Sequence, residues 1–397
     1  RHLCCFYMIY LDHHSTTPVD SRVLDAMLPY FCEHPGNAAS RNHAFGRTAF
    51  SAVETARGQV ASLIGGTARE IAFTSGATES DNLAIKGVAE ALRERGNHII
   101  TQATEHKAVL DSARRLERSG FRVTVLDVDS KGILDPDALR AAMSDKTILV
   151  SVMWTNNETG AAQDLAALGA ITRERGVYLH CDASQGLGYI PLDVGQIPVD
   201  LVSFTAHKVY GPKGVGALYA RRRNPRVSLV AEIDGGGHEF GMRSGTLNVP
   251  GIVGFGAACE LQKEESAAEA IRVHALRQTL FTKLEDLGGV LLNGPSLDGP
   301  RHPGNLNVSF GALDPGSLMV EMAKSLAVSS GSACSTGSGE PSYVLRAMGL
   351  SRERAASSIR YGLGRSTSES DIDSAVEVTR AAVTKLRASY SSAPAGW

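Results

Sequence analysis

The stretch Asp200-Leu-Val-Ser-Phe-Thr-Ala-His-Lys-Val-Tyr-Gly-Pro-Lys-Gly214 decides how this chain is read. An apolar, strand-like run closes on small and polar residues, and a histidine, a lysine and a glycine–proline turn follow. That order places Lys208 on a loop at the edge of a sheet, where a ligand can reach it. A lysine desolvated there can form a Schiff base with an aldehyde cofactor. An isolated His-Lys pair is ordinarily a surface lysine at a turn. This one is accompanied by His180-Cys-Asp-Ala-Ser-Gln185 and Thr104-Glu-His106 upstream, and by Ser329-Ser-Gly-Ser-Ala-Cys334 far downstream.

Working outward, strand-like runs alternate with helical patterns from about residue 55 to residue 220. The runs are Ile71–Thr74, His98–Thr101, Val123–Val128, Ile148–Met153, Val177–Cys181, Leu201–Phe204 and Gly216–Tyr219. Between them lie stretches such as Glu79–Arg95, with Leu83, Val88 and Leu92 on one face and Gly96 as a stop. Such alternation predicts right-handed crossovers and a mainly parallel sheet, whose ligands bind at the carboxyl ends of the strands. The segment Thr74–Thr78, the Glu105-His106 pair, Asn156-Asn157, Asp182 and Lys208 all fall just past a predicted strand end. Farther on, residues about 258–290 read as a long amphipathic helix, Leu306–Phe310 and Ala327–Ser329 as short strands, and Asp371–Leu386 as a final helix.

The 397 residues suffice for two domains with separate cores. A content of 43% hydrophobic and 21% charged residues is an ordinary globular balance. A net charge of −2 provides no basic field for bulk nucleic-acid binding. No apolar run reaches the ~20 residues that span a bilayer. The cysteines, Cys4, Cys5, Cys32, Cys181, Cys259 and Cys334, form no CxxC pair. That argues against a zinc site or a disulfide framework and for a reducing compartment, with the cytoplasm expected. Residues 1–7 read as a leader foreign to the native chain. We expect residues 8–20 to pack with the small domain, 21–260 to form a large cofactor-binding domain, and 261–397 a smaller α+β domain carrying Cys334.

Each candidate residue has a chemical reading and a plainer one. In Thr74-Ser-Gly-Ala77-Thr78, a strand gives way to a glycine turn and a helix start, whose free N–H groups and hydroxyls make an anion site. The plainer reading is an ordinary N-cap. Asp182, buried at a strand end, needs a partner, and a protonated pyridine nitrogen would be one; Gln185 could donate to a ring oxygen. The plainer Asp182 is a surface or capping residue. His106 could stack on a planar ring and shuttle protons, or be a structural histidine. Asn157 could contact cofactor or substrate, or simply belong to a turn. Cys334 lies among glycines and serines, unlike a buried structural thiol, and so suits a thiolate that approaches a ligand and then leaves. Arg360 could hold a substrate carboxylate bidentately or make a structural salt bridge. Cys181, within a strand run, reads as packing.

Taken together the motifs resemble a family, the pyridoxal-phosphate-dependent cysteine desulfurases of the class V aminotransferase group, of the housekeeping iron–sulfur-cluster and nitrogen-fixation type. The resemblance runs from about Ile9 to about Leu386. Its blocks are Tyr10-Leu-Asp…Thr16-Thr-Pro18, Phe73–Asn82, Thr104–Val109, Asn156-Asn-Glu158, His207-Lys208…Gly211-Pro-Lys-Gly214, Gly235–Glu239, Arg243-Ser-Gly-Thr246, Ser329–Cys334 and Glu340–Tyr343. It implies an α/β protein of PLP fold type I, with a mainly parallel seven-stranded sheet in the large domain and a smaller α+β C-terminal domain. It further implies that Lys208 holds pyridoxal 5'-phosphate covalently, that Asp182 pairs with its ring nitrogen and Gln185 with its ring hydroxyl, and that His106 stacks on the ring. Ala77, Thr78, Thr205 and His207 would bind the phosphate, with Thr246 supplied by the second copy of a homodimer. Asn157 and Arg360 would fix L-cysteine, and Cys334 would take its sulfur as a persulfide, releasing L-alanine and later passing sulfur to an acceptor protein. No metal, no direct nucleic-acid contact and no membrane association are expected.

Four departures stand out. Thr205-Ala206 replaces the usual Ser-Gly, keeping the hydroxyl; Phe240 takes a position usually held by arginine. His13-His14 stands where others carry small or polar residues, and the segment after Cys334 is richer in glycine. The tail ends at Trp397 without the longer segment through which housekeeping members dock a scaffold, so we expect a dedicated acceptor in cluster assembly, tRNA thiolation or DNA phosphorothioation. The competing enzyme readings are a selenocysteine lyase or an aminotransferase on the same fold; a transaminase has no use for Cys334. A catalytically silent scaffold is the remaining alternative, and the intact Lys208, Asp182, His106 and Cys334 argue against it.

Overall fold

Apolar runs bounded by turn residues become the strands of this protein in a computed structural model that describes residues 8–311, 313, 315–330 and 340–391. In chain order the strands are β1 (Ile9–Tyr10), β2 (Ile71–Thr74), β3 (His98–Gln102), β4 (Arg122–Leu126), β5 (Thr147–Ser151), β6 (Tyr178–Asp182), β7 (Leu201–Thr205), β8 (Gly216–Ala220), β9 (Val290–Leu292), β10 (Asn305–Phe310), β11 (Leu326–Ala327), β12 (Ser329–Ser330) and β13 (Ser358–Gly362). Cys334 lies outside the described residues.

Among the described residues one sheet has seven strands in the order β2-β8-β7-β6-β5-β3-β4. The pairs from β7 through β4 are parallel; β8 runs antiparallel to both β7 and β2. Its strands are buried along their length except β4, one of the two edge strands, as expected of a sheet covered on both faces. The helices relevant to the site are α1 (Ala44–Leu63), α2 (Ala77–Ala91), α3 (Lys107–Glu117), α4 (Val249–Glu285), α5 (Tyr343–Ala347) and α6 (Glu369–Ser391). Because β8 alone is reversed, the carboxyl ends of β2, β3, β5, β6 and β7 share one edge with the start of β8. The predicted strands match the observed ones to within a residue or two at most ends.

A smaller antiparallel sheet, β12-β13-β10-β9, packs with α6 around a second core that includes Leu306, Val308, Phe310, Ile359 and Tyr361. The N-terminal strand joins this side: Ile9 and Leu11 lie in the second core, and β1 pairs in parallel with β11. The helix predicted at about 258–290 starts earlier, at Val249, where Asn248 caps it by accepting from Gly251 N. It is 37 residues long. Phe255, Ala258 and Cys259 pack in the large core, and Val273, Leu280 and Leu284 in the second. One continuous helix therefore carries the chain from one core to the other, where the sequence suggested a division between residues 260 and 261.

Candidate active site

The site begins at the crossing of β2 and β8. A Cβ built on Gly216 would lie 2.6 Å from Gly76 Cα, so only glycine lets the β2–α2 turn approach β8 this closely. Gly76, with φ of 155°, is the N-cap of α2, and no side chain caps it. The ordinary Thr or Ser cap is thus absent: the Thr74 hydroxyl is engaged with Ser80 Oγ, 2.8 Å away. The Thr74 hydroxyl also accepts from Gly76 N at 3.3 Å, so the backbone N–H groups at the start of α2 that face a cleft are those of Ala77 and Thr78, which line it, as suits an anion.

That cleft, about 550 Å³, opens at the carboxyl edge of the large sheet. Lys208, Asp182, Gln185, His106, Ala77, Thr78, Thr205, His207, Asn157 and Arg360 all line it. Thr246 does not; it is exposed and outside the cleft's lining in its own chain. Lys208 ends a short 3-10 turn, Ala206–Lys208, directly after β7. Its ammonium donates to the carbonyl of His14. Gln185 donates to the same carbonyl at 2.8 Å, and its Oε1 lies 3.1 Å from His14 Nδ1.

Asp182 is the last residue of β6 and is 4% exposed. Its Oδ1 accepts from Ser184 N at 2.9 Å. Beneath it is a group of side chains that sequence reading did not single out. Asp81, on the second turn of α2, is 1% exposed, and neither carboxyl oxygen has a hydrogen-bond partner. Burial, then the charge of Asp182, pushes Asp81 well above the usual carboxylate range, and burial does the same to Glu105. In both, burial disfavours the charged form. His180 bonds Ser151 Oγ at 2.8 Å and Ser203 Oγ at 2.9 Å, and burial pushes it down to about 4. A buried carboxyl at a strand end, with Asp81 and His180 packed nearby, suits a cationic ring nitrogen as its partner.

His106 caps α3 by accepting from Ala108 N at 3.2 Å through Nδ1. Burial lowers its pKa, so the ring is neutral at pH 7, and its proton then belongs on Nε2. His207 is lowered to about 4 by burial, then by the neighbouring Lys208 and Lys213, and its Nδ1 lies 3.1 Å from Thr16 Oγ1.

Arg360 of β13 is 5% exposed. Its Nη1 donates to Asn157 O at 2.9 Å; its Nη2 donates to Asp12 Oδ1 at 2.7 Å and Ser329 Oγ at 3.0 Å; Nε has no partner. The salt bridge and the cleft position thus coexist. To grip a carboxylate with both tines, Arg360 must release one of these bonds. Glu158, also unremarked in the sequence apart from its motif, lines the cleft and accepts from Ser342 Oγ at 2.5 Å. Burial pushes Glu158 up to about 7.

The cleft fits pyridoxal phosphate on three counts: an uncapped helix start for a phosphate, a buried carboxylate for a ring nitrogen, and a lysine at the strand edge for the aldehyde. The class-V aminotransferase family matches residues 9–375. The chain belongs to that family of pyridoxal-phosphate enzymes. It is similar to a cysteine desulfurase IscS of Anaeromyxobacter sp. (strain Fw109-5), 59% identical over 96% of this chain and 93% of the relative. Among solved structures it resembles a NifS-like protein, with TM-score 0.89 and 37% identity over 96% of this chain and 100% of that one. It also resembles SspA in complex with cysteine, with TM-score 0.79 and 35% identity over 89% of this chain and 98% of that one.

Proposed function

We propose that this chain carries out cysteine desulfuration, with the cleft residues dividing the work as follows. The observation that carries the reading is convergence. Every site residue named from sequence and described by the structure, Thr246 apart, lines one cleft at the carboxyl edge of the sheet. Pyridoxal phosphate, when bound, supplies a sink for the electrons released as the substrate's carbon–sulfur bond breaks. Lys208 holds it, the α2 start with Thr78, Thr205 and His207 binds its phosphate, Asp182 faces its ring nitrogen, and Gln185 its ring oxygen. His106 covers the ring and handles protons. Arg360 and Asn157 hold the carboxylate of L-cysteine, and Cys334 accepts the sulfur, leaving L-alanine.

Two identical chains form the working unit, with Thr246 of one copy completing the phosphate site of the other. The acceptor is a protein thiol. We favour iron–sulfur cluster assembly over tRNA thiolation or DNA phosphorothioation, because the similar curated protein is named IscS. No helix of the described residues is long and apolar enough to cross a membrane, and the described cysteines Cys32, Cys181 and Cys259 are all free; we place the enzyme in the cytoplasm.

Borohydride reduction of the protein loaded with pyridoxal phosphate tests the arrangement. The label should fix on Lys208, and Lys208→Ala should take up none and form no alanine. A label on another lysine would overturn this assignment.

A further inference from the structure

His14 is 3% exposed and lies between the cleft and a small polar recess beside His302, whose ring centroid is 4.6 Å away, edge-on. Three hydrogen bonds converge on it. Its backbone carbonyl accepts from Lys208 and, at 2.8 Å, from Gln185 Nε2; its Nδ1 lies 3.1 Å from Gln185 Oε1. A carbonyl can only accept, so the nitrogen of the Gln185 amide must face it. Gln185 Oε1 can only accept as well, so His14 Nδ1 must carry a hydrogen. Burial keeps the ring neutral, which leaves Nε2 as a bare lone pair, and that atom is buried without a partner. If the amide turned over, two oxygens would meet at the His14 carbonyl and a bond would be lost at Nδ1. Gln185 is 6% exposed and lines the cleft, so its remaining N–H is available to a ligand there.

We propose that His14 is a positioning residue: its Nδ1–H and its carbonyl together lock the Gln185 amide with nitrogen toward the cleft, so that the ligand's ring oxygen meets a donor and not a carbonyl oxygen. The same carbonyl holds Lys208, so one residue sets both groups. This inference rests on the reading that Gln185 faces the ring oxygen of pyridoxal phosphate. An N–H donor lowers the proton affinity of the oxygen it faces, whereas a turned carbonyl raises it.

The test is a pH titration of the visible absorbance of the protein loaded with pyridoxal phosphate, with cofactor retention measured alongside. His14→Asn places an amide N–H close to where Nδ1–H stood and should keep the wild-type midpoint. His14→Leu removes it and should raise the midpoint by about one pH unit, the size expected of one hydrogen bond to a charged group. His14→Gln places its N–H where Nε2 stood, out of reach of Gln185, and should behave as Leu does; it carries the test if Leu fails to fold. Equal midpoints in Asn, Gln and wild type overturn the inference, as does an Asn midpoint displaced as far as Gln. Gln185→Leu separates the two levels. If it raises the midpoint and the His14 variants do not, only the role of His14 falls. If it leaves the midpoint unchanged, the reading of Gln185 falls and this inference falls with it.

Discussion

Because Ala108 donates its backbone N–H to His106 Nδ1 at 3.2 Å, the neutral ring carries its proton on Nε2 and takes up a second one only at the capped nitrogen. Proton handling by His106 therefore competes with a helix cap, while hydrogen-bond donation does not. His106→Gln, whose amide N–H stands near Nε2, should retain cofactor affinity close to wild type yet lose about a hundredfold in kcat, a usual size for general acid–base groups. His106→Ala should lose both. A Gln variant with wild-type kcat would show that no proton passes through this residue. Glu158 gives a second residue-scale outcome. Its folded-state value of about 7 stands above the ordinary 4.5, so ionisation opposes folding, and this cost grows as pH rises from 4.5 through 7. Glu158→Gln keeps an acceptor for Ser342 and removes the cost. It should match wild-type stability to within a few tenths of a kcal/mol near pH 4.5 and exceed it by about 3 kcal/mol at pH 8. Melts that differ equally at both pH values would contradict the assignment. Neither Glu158 nor Asp81 was legible as special in the sequence, where each reads as one more acidic residue in a polar run. Their chemistry arises from burial by distant parts of the chain.

At the scale of elements, the β2–β8 crossing holds the start of α2 against the cleft. Gly216→Ala would set a Cβ 2.6 Å from Gly76 Cα and 2.6 Å from Phe204 O. Both neighbours are backbone and cannot rotate away. We expect a loss of about 1–3 kcal/mol in stability and a larger proportional loss in affinity for pyridoxal phosphate. Gly58→Ala in α1, with nothing near the added carbon, serves as the control and should be neutral or stabilising. Equal cofactor affinity in the Gly216 variant and the control would show that this crossing does not set the anion site. The strand ends were legible because Thr74, Asp182 and Thr205 each close an apolar run with a polar residue. The start of α4 was not: Gly251, Gly254 and Gly256 interrupt the apolar pattern. They are tolerated because the helix packs tightly there, with Gly256 facing Ala56 of α1 and Gly254 facing Met27.

At the scale of the molecule, Thr246 is exposed in its own chain, as the proposed site shared with a second copy requires. If Thr246 serves the neighbour's site, Lys208→Ala and Thr246→Val chains should each be impaired alone, yet a mixed dimer should regain about half the wild-type activity, because one of its two sites is complete. Mixing that restores nothing, or a fully active monomer in sedimentation, would refute the shared site. The mainly parallel sheet and the cleft at its carboxyl edge could be anticipated because motifs recur at successive strand ends; the strand order and the reversal of β8 could not. Sequence patterning gave no sign that a single helix would join the two cores.

In the proposed reaction, sulfur from L-cysteine passes to Cys334. The most direct measurement is peptide mass analysis of the loaded enzyme after one turnover with L-cysteine and no reductant, with alanine measured in the same sample. One added sulfur atom is expected on the peptide containing Cys334, in proportion to alanine formed, and neither product from Cys334→Ala. Alanine at the wild-type rate from Cys334→Ala, or sulfur found on Cys32, Cys181 or Cys259 instead, would contradict it.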